Sequence, residues 1–292
     1  RADEQRRMTI LEGDLRVVVV DDPGALASLA TRLRSAPLVA LDTETTSLEP
    51  HDAELIGLSL AASATEVWYL PFGHRPRGGE LAAPAPVRNL PLITDPACAP
   101  IADLLRDATV RKAGQNIKYD WQVLRRAGIE LAGVAYDSML ASFVLDPGRR
   151  SHAIDALSME HLGRGMRRYT DLTGKGAAQI PFADVPVADA AAYCGADSAT
   201  VLALHEIFAP QLREMALAPL LDDLEMPLVE VLVDMEWAGI AIDRPLFERL
   251  SRDMGAELAR LEGEIQAAAG TTFNLNSPKQ LGQVLYEQHQ MP

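Results

Sequence analysis

The residues best suited to chemistry are two carboxylates, Asp42 and Glu44, in the run Leu41-Asp42-Thr43-Glu44-Thr45 that follows the apolar segment 38–41. Positions two apart on a strand face the same side, so the pair would project together from a strand end. Two such groups repel each other as they lose water and call for a strong positive partner, which a divalent cation supplies. Taken alone, the pattern also describes a strand end emerging into solvent. A third carboxylate, Asp120, stands in Asn116-Ile117-Lys118-Tyr119-Asp120. There Asn116 is placed to cap a helix, with Asp120 one turn further along the same face, and a solvated helix start reads the same way. In Tyr193-Cys194-Gly195-Ala196-Asp197 a phenol and a carboxylate four apart share a helix face. Together the three segments bring four carboxylates and a tyrosine from one strand and two helices, a set suited to a two-metal phosphodiester site.

The elements that must carry these groups are legible as changes of period. Short apolar and β-branched runs at 16–20, 38–43, 55–61 and 66–71, each bounded by Pro, Gly, Asp or Ser, predict strands. Helical spacing follows at about 97–107, 116–127, 138–145, 151–161 and 187–208, giving a mixed α/β sheet domain over residues 1–208. The Pro- and Gly-rich stretch 73–100 reads as a loop inside that domain. Beyond 209 strand signals are sparse, and two long helical patterns run at about 219–237 and 245–269. Asp243 and Ser277, each close before a proline, read as helix starts, so residues 209–292 form a second, helical unit.

A chain of 292 residues with 48% hydrophobic and 23% charged residues can bury a sizeable core and is not disordered. No run approaches membrane-spanning length, and residues 1–7 lack the apolar core of a signal peptide, so a cytoplasmic protein with no membrane partner is expected. Cys98 and Cys194 form no CxxC pair and supply neither a zinc site nor a disulfide framework. The net charge of −14 argues at first against a nucleic-acid partner, but residues 206–292 hold fifteen acids and six bases, leaving the front part nearly balanced. That part has basic clusters, Arg111, Lys112, Lys118, Arg125 and Arg126 in one and Arg164, Arg167, Arg168 and Lys175 in another, each also readable as solvated surface charge.

The acidic motifs resemble those of the 3'-5' exonucleases that carry three Asp, one Glu and a Tyr in a ribonuclease H-like fold. With the 152–157 segment, Gly174-Lys175-Gly176, Met226-Pro227-Leu228, Trp237-Ala238-Gly239-Ile240 and the run 273–281, the chain is similar to the proofreading domain and the start of the polymerase domain of the bacterial DNA polymerase I family. The resemblance covers nearly the whole chain. It implies that Asp42, Glu44, Asp120 and Asp197 hold two ions, Mg²⁺ or Mn²⁺, with Asp42 shared between them. It further implies that Tyr193 orients the attacking water with help from Glu44, and that single-stranded or frayed DNA 3' ends are shortened to 5'-mononucleotides. Leu48, Gln115, Asn116 and Tyr169 are implied as contacts to the terminal nucleotides, and Lys175 as a phosphate contact. Residues 209–292 would begin the thumb, with the palm and fingers beyond Pro292, so no primer extension is expected and some apolar surface after residue 219 should be exposed. Cys194, Gly195 and Ala196 depart from the alanines and acidic residue common in the middle of the tyrosine motif, while its functional ends are intact. A nucleoid-associated location follows from the same resemblance. A ribonuclease D-like enzyme acting on RNA 3' ends, and a non-catalytic scaffold, remain as alternatives.

Overall fold

The computed structural model describes residues 9–12, 14–75 and 87–291. Residues 1–7, read above as lacking a signal peptide, and 76–86 of the proposed loop lie outside the described residues. Among the described residues seven strands form one sheet: β1 Thr9–Glu12, β2 Leu15–Val19, β3 Val39–Thr45, β4 Leu55–Ser63, β5 Glu66–Pro71, β6 Lys112–Gly114 and β7 Val134–Asp137, in the order β1-β2-β5-β4-β3-β6-β7. The centre is an antiparallel meander of β3, β4 and β5, flanked by strands that run parallel to their inner neighbours, β2 beside β5 and β6 beside β3. Val17, Val39, Leu41, Leu58, Leu60 and Leu70 are buried, as continuous aliphatic runs require when helices cover both faces.

The helices are α1 Leu26–Arg34, α2 Ala99–Arg106, α3 Ile117–Arg126, α4 Ser138–Leu145, α5 Ile154–Leu162, α6 Tyr169–Thr173, α7 Val187–Glu214, α8 Ala218–Leu220, α9 Met226–Ala238, α10 Arg244–Ala269 and α11 Pro278–Gly282. The long α7 lies across β2, β3, β4 and β5, with α4 and α5 packed on it. Its buried face is built from small residues, Ala190, Ala191, Cys194, Gly195, Ser198 and Ala199, which let the helix approach the sheet closely. A Cβ at Gly195 would come within 2.8 Å of Val17. Across this seam the Ser59 hydroxyl of β4 donates to the Cys194 carbonyl at 2.9 Å and shares a short hydrogen bond with Ser198.

Five of these elements escaped the sequence reading, among them the four-residue β1 and the five-residue α6. Helix α1 falls in a stretch dominated by strand signals, and β6 and β7, three and four residues long, are too short to show a period. Lys112, counted above with a solvated basic cluster, is instead fully buried in β6, where its ammonium donates to the Asp107 carbonyl at 2.6 Å. That burial holds its pKa down at about 8.

The chain divides into two compact units, Arg1–Ala238 and Gly239–Pro292. Position 208, the last residue of the first domain in the sequence reading, lies within the continuous helix α7, and α9 packs on α3 and β7 inside the first unit. The second unit holds α10 and α11, whose starts are capped as expected: Asp243 accepts from the Leu246 N–H at 3.0 Å and Ser277 from the Gln280 N–H at 3.4 Å. Along α10, Phe247, Leu250, Met254, Leu258, Leu261 and Ile265 are exposed at helical spacing.

Candidate active site

Strand β3 ends in the acidic pair. Asp42 lies opposite Ser59 and Glu44 opposite Gly57 on β4, so both project from the face that α7 covers, and the register shifts by a bulge directly after Glu44. Gly57 is required there, because a Cβ at this position would lie 1.9 Å from the Tyr69 hydroxyl. Asp120 arrives from the first turn of α3 and is fixed by Thr43 between the pair: its Oδ1 accepts from the Thr43 N–H at 2.9 Å and from the Thr43 hydroxyl at 2.6 Å. Asp197 and Tyr193 come from α7.

The electrostatics show that the four carboxylates share one space. Burial raises Asp42 well above the ordinary range, and Asp197 raises it further. Burial likewise raises Glu44, which also feels Asp42, Asp197 and Asp120. Asp120 is raised by burial and by Asp42 in spite of its bonds to Thr43. Asp197 is pushed up to about 8 by burial, then by Asp120 and the outlying Asp155. Among the described residues no lysine or arginine is paired with any of the four. Buried like charges without a counter-charge are the environment that a divalent cation relieves, and an all-carboxylate oxygen set fits hard ions such as Mg²⁺ or Mn²⁺. One atom in each of Asp42, Glu44 and Cys194 lies within 4.8 Å of the others. The thiol is the odd member: it donates to Asp42 Oδ2 at 3.0 Å, and burial with the neighbouring carboxylates keeps it protonated. Cys194 thus orients Asp42 as a hydrogen-bond donor, a role that no feature of the sequence suggested.

Tyr193 is half-buried, and burial followed by Asp197, Glu44 and Asp42 raises its phenol far above the ordinary value, so it stays protonated at every working pH. An aromatic series supports it: Tyr193 meets Phe182 at a centroid distance of 6.3 Å, and Phe182 stacks on Tyr169 at 5.9 Å with an interplanar angle of 17°. Phe182, missed in the sequence, joins two of the predicted site residues. Tyr169 is partly exposed and feels Glu44. Beneath the pair, the Tyr69 hydroxyl contacts His74 Nε2 at 2.7 Å while His74 Nδ1 lies 3.1 Å from the Val185 carbonyl. A carbonyl can only accept, so Nδ1 carries the proton and Nε2 accepts from Tyr69.

The remaining predicted contacts are placed unequally. Leu48 stands 90% exposed in the loop after β3. The Gln115 amide is turned inward, donating to the His152 carbonyl at 2.7 Å and accepting from the Ser138 hydroxyl at 2.5 Å. Lys175 is exposed and adds to the charge around Asp171, whose pKa is held down chiefly by Arg168. Asn116 does not cap α3 as expected. It adopts a left-handed conformation with φ of 57° and makes no side-chain capping bond. The cap comes from Asp137 instead, whose Oδ2 accepts from the Ile117 N–H at 2.7 Å and whose Oδ1 accepts from the Met139 and Leu140 N–H groups at 2.8 and 3.1 Å. The Asn116 N–H is a fourth donor to it. An Asp directly before the 138–145 pattern was a readable cap for α4, but its second service to α3 is long-range.

Residues 17–213, which contain all four carboxylates and Tyr193, match the family model described as 3'-5' exonuclease. The chain belongs to the 3'-5' exonuclease family. This exonuclease is 37% identical over 287 residues to DNA polymerase I of Pseudomonas aeruginosa, covering 97% of the chain and 30% of that relative. It is 39% identical over 262 residues to DNA polymerase I of Rhizobium leguminosarum, covering 87% of the chain and 26% of the relative. The exonuclease chain therefore spans less than a third of the length of these relatives. Among solved structures it is similar to the POL domain of Pol1 from M. smegmatis in complex with DNA primer-template and dNTP, with a TM-score of 0.66 and 24% identity over 94% of this chain and 41% of that one. It is also similar to Brucella melitensis NrnC bound to pGG, with a TM-score of 0.53 and 16% identity over 72% and 91% of the respective chains. The mixed sheet flanked by helices is the ribonuclease H-like exonuclease fold expected from the sequence. No helix among the described residues is long and apolar enough to cross a membrane.

Proposed function

We propose that this exonuclease removes nucleotides from single-stranded or frayed DNA 3' ends as the proofreading region of a bacterial DNA polymerase I, with residues 209–292 opening the polymerase domain. The single observation that carries the reading is the meeting of Asp42, Glu44, Asp120 and Asp197, the middle two buried and the outer two half-buried, with no basic partner among the described residues. The identity to DNA polymerase I over 97% of the chain supports DNA over RNA as substrate and supports a replication and repair setting near the nucleoid.

Asp42, Glu44 and Asp197 would hold one Mg²⁺ or Mn²⁺, and Asp42 with Asp120 a second. When bound, such ions neutralise the scissile phosphate and stabilise the attacking and leaving oxygens. The chain's own groups do the rest. Thr43 holds Asp120 by two hydrogen bonds, so that carboxylate is oriented before any ion arrives. The Cys194 thiol does the same for Asp42. Tyr193, protonated throughout, orients the attacking water by hydrogen bonding and does not take its proton. Glu44, whose carboxylate can accept a hydrogen bond, would assist Tyr193 in orienting that water. Tyr169, stacked on Phe182, offers a ring face to a terminal base, and Leu48 offers an apolar edge.

The test is trimming of matched 5'-labelled single-stranded DNA and RNA, with Mg²⁺ and with chelator. Stepwise shortening of the labelled DNA from its 3' end that requires Mg²⁺ supports the reading. Preferential RNA trimming, or no cleavage together with no metal binding by calorimetry, refutes it.

A further inference from the structure

The C-terminal end of α9 is fastened to α3. Lys118, Gln122 and Arg125, spaced four and three apart on one face of α3, engage it: Glu236 accepts from Lys118 and, at 2.8 Å, from the Gln122 amide, while Asp234 accepts from Arg125 at 2.8 Å. The Arg125 guanidinium lies 5.9 Å from the ring centroid of Trp237. Two members of the basic cluster read as surface charge, Lys118 and Arg125, are thus spent on this joint. Trp237 then reaches past α3 to His51, with centroids 4.3 Å apart and an interplanar angle of 31°.

His51 belongs to the loop between β3 and β4, the loop that carries Leu48. That loop has a second anchor, since the Ser47 carbonyl accepts from the Tyr119 hydroxyl of α3 at 2.6 Å and from the Thr45 hydroxyl at 2.9 Å. Leu48, 90% exposed, lies between the two anchors. An exposed apolar side chain on a free loop must be ordered at the moment of binding, which weakens the complex; one held on both sides is ordered beforehand.

We propose that Trp237 is a positioning residue for the 3' end: by packing on His51 it fixes the loop that presents Leu48, so the end of α9 sets how tightly the terminal nucleotide is held. The proposal rests on the reading of Leu48 as a nucleotide contact. Trp237 is suited to this role because α9 has other attachments. Met226, Val229 and Val233 are buried, and Glu236 and Asp234 hold α3, so loss of the indole frees the loop without freeing the helix.

The test compares the wild-type chain with Trp237→Ala, Trp237→Phe, His51→Ala, Leu48→Ala and the Trp237→Ala/Leu48→Ala pair. Amide hydrogen exchange should quicken across residues 46–53 in Trp237→Ala and His51→Ala, with α3 and α9 protected as in wild type. In single-strand trimming with Mg²⁺, both variants should raise KM by roughly fivefold, equivalent to about 1 kcal/mol, with kcat held within about twofold. Trp237→Phe, which keeps a ring, should restore KM. The pair should be no worse than Leu48→Ala alone, because each removes the same contact. Unchanged exchange at 46–53 in Trp237→Ala overturns the anchor whatever the trimming shows, as do fully additive effects in the pair. If Leu48→Ala leaves KM unaltered, the nucleotide contact itself is wrong and the proposal falls with it.

Discussion

Asp137 offers the sharpest test of how the site is held. One buried carboxylate caps two helices, taking the Ile117 N–H of α3 with the Asn116 N–H just before it, and the Met139 and Leu140 N–H groups of α4. Replacement by alanine leaves four donors at two helix starts without their partner in a place where water has little access. A single lost cap costs about 1 kcal/mol, up to about 2 where the end is poorly hydrated, so Asp137→Ala should lose about 2–4 kcal/mol. For a unit of this size that corresponds to a fall in Tm of about 6–12 °C. Asp137→Asn keeps one carbonyl oxygen but turns an amide NH₂ toward the other pair of donors, and should fall between wild type and alanine. Burial raises the Asp137 pKa above the ordinary carboxylate value, and its N–H bonds hold back part of that rise. Urea denaturation followed by circular dichroism gives the stabilities, and calorimetry at a temperature where all variants are folded gives Mg²⁺ affinity. Since α3 carries Asp120, affinity should drop in the same order as stability. A loss below about 0.5 kcal/mol in Asp137→Ala would show that other groups, or water, satisfy those helix ends and would refute the double-cap argument.

Three further outcomes are expected. Asp42→Ala or Asp120→Ala should abolish Mg²⁺-dependent trimming while the metal-free Tm stays level or rises, because burying one carboxylate fewer relieves repulsion; wild-type rates in a nuclease-free preparation would contradict the site. Tyr193→Phe should slow single-turnover cleavage by roughly 10–100-fold with little change in strand affinity, and an equal loss in affinity would make it a binding residue instead. The four site carboxylates have pKa values raised in the folded state, so between about pH 4 and pH 8 the folded chain binds more protons than the unfolded one. In chelator, stability should therefore fall as pH rises through that window, Mg²⁺ should restore it near pH 8, and Asp197→Asn should flatten the slope. A rise in metal-free stability from pH 5 to 8 would reverse the sign and reject the arrangement.

The candidate site was legible because its residues sit on elements with strong local periodicity: a strand end for Asp42 and Glu44, helix faces for Asp120 and for Tyr193 with Asp197. What the sequence hid is pairing between distant segments. Asn116 looks like the cap of α3, yet a carboxylate twenty-one residues later does the work and leaves Asn116 in a left-handed turn. Phe182 has no motif around it and matters only because Tyr169 and Tyr193 close on it from two other helices. Lys112 reads as surface charge because a three-residue strand has no period by which burial can be recognised. Gln115 and Lys175, suggested by resemblance, show the opposite limit: a family motif names a residue but not whether its polar atoms are already engaged, as those of Gln115 are.

The small-residue seam between α7 and the sheet has a consequence for inheritance. Gly195 lets α7, which carries Asp197 and Tyr193, lie close on Val17, while Gly57 beside Glu44's strand leaves room for the Tyr69 hydroxyl. A methyl group at Gly195 must displace the Val17 side chain or α7, and one at Gly57 must displace the Tyr69 ring, although neither glycine is itself one of the chemical groups of the site. If the proofreading role proposed above holds, a Gly195→Ala allele would raise the error rate of copying. Cells carrying it would be mutators whose lesion lies in a helix-sheet contact, and suppressors should arise as trimmed side chains at Val17 in preference to new acids in the site.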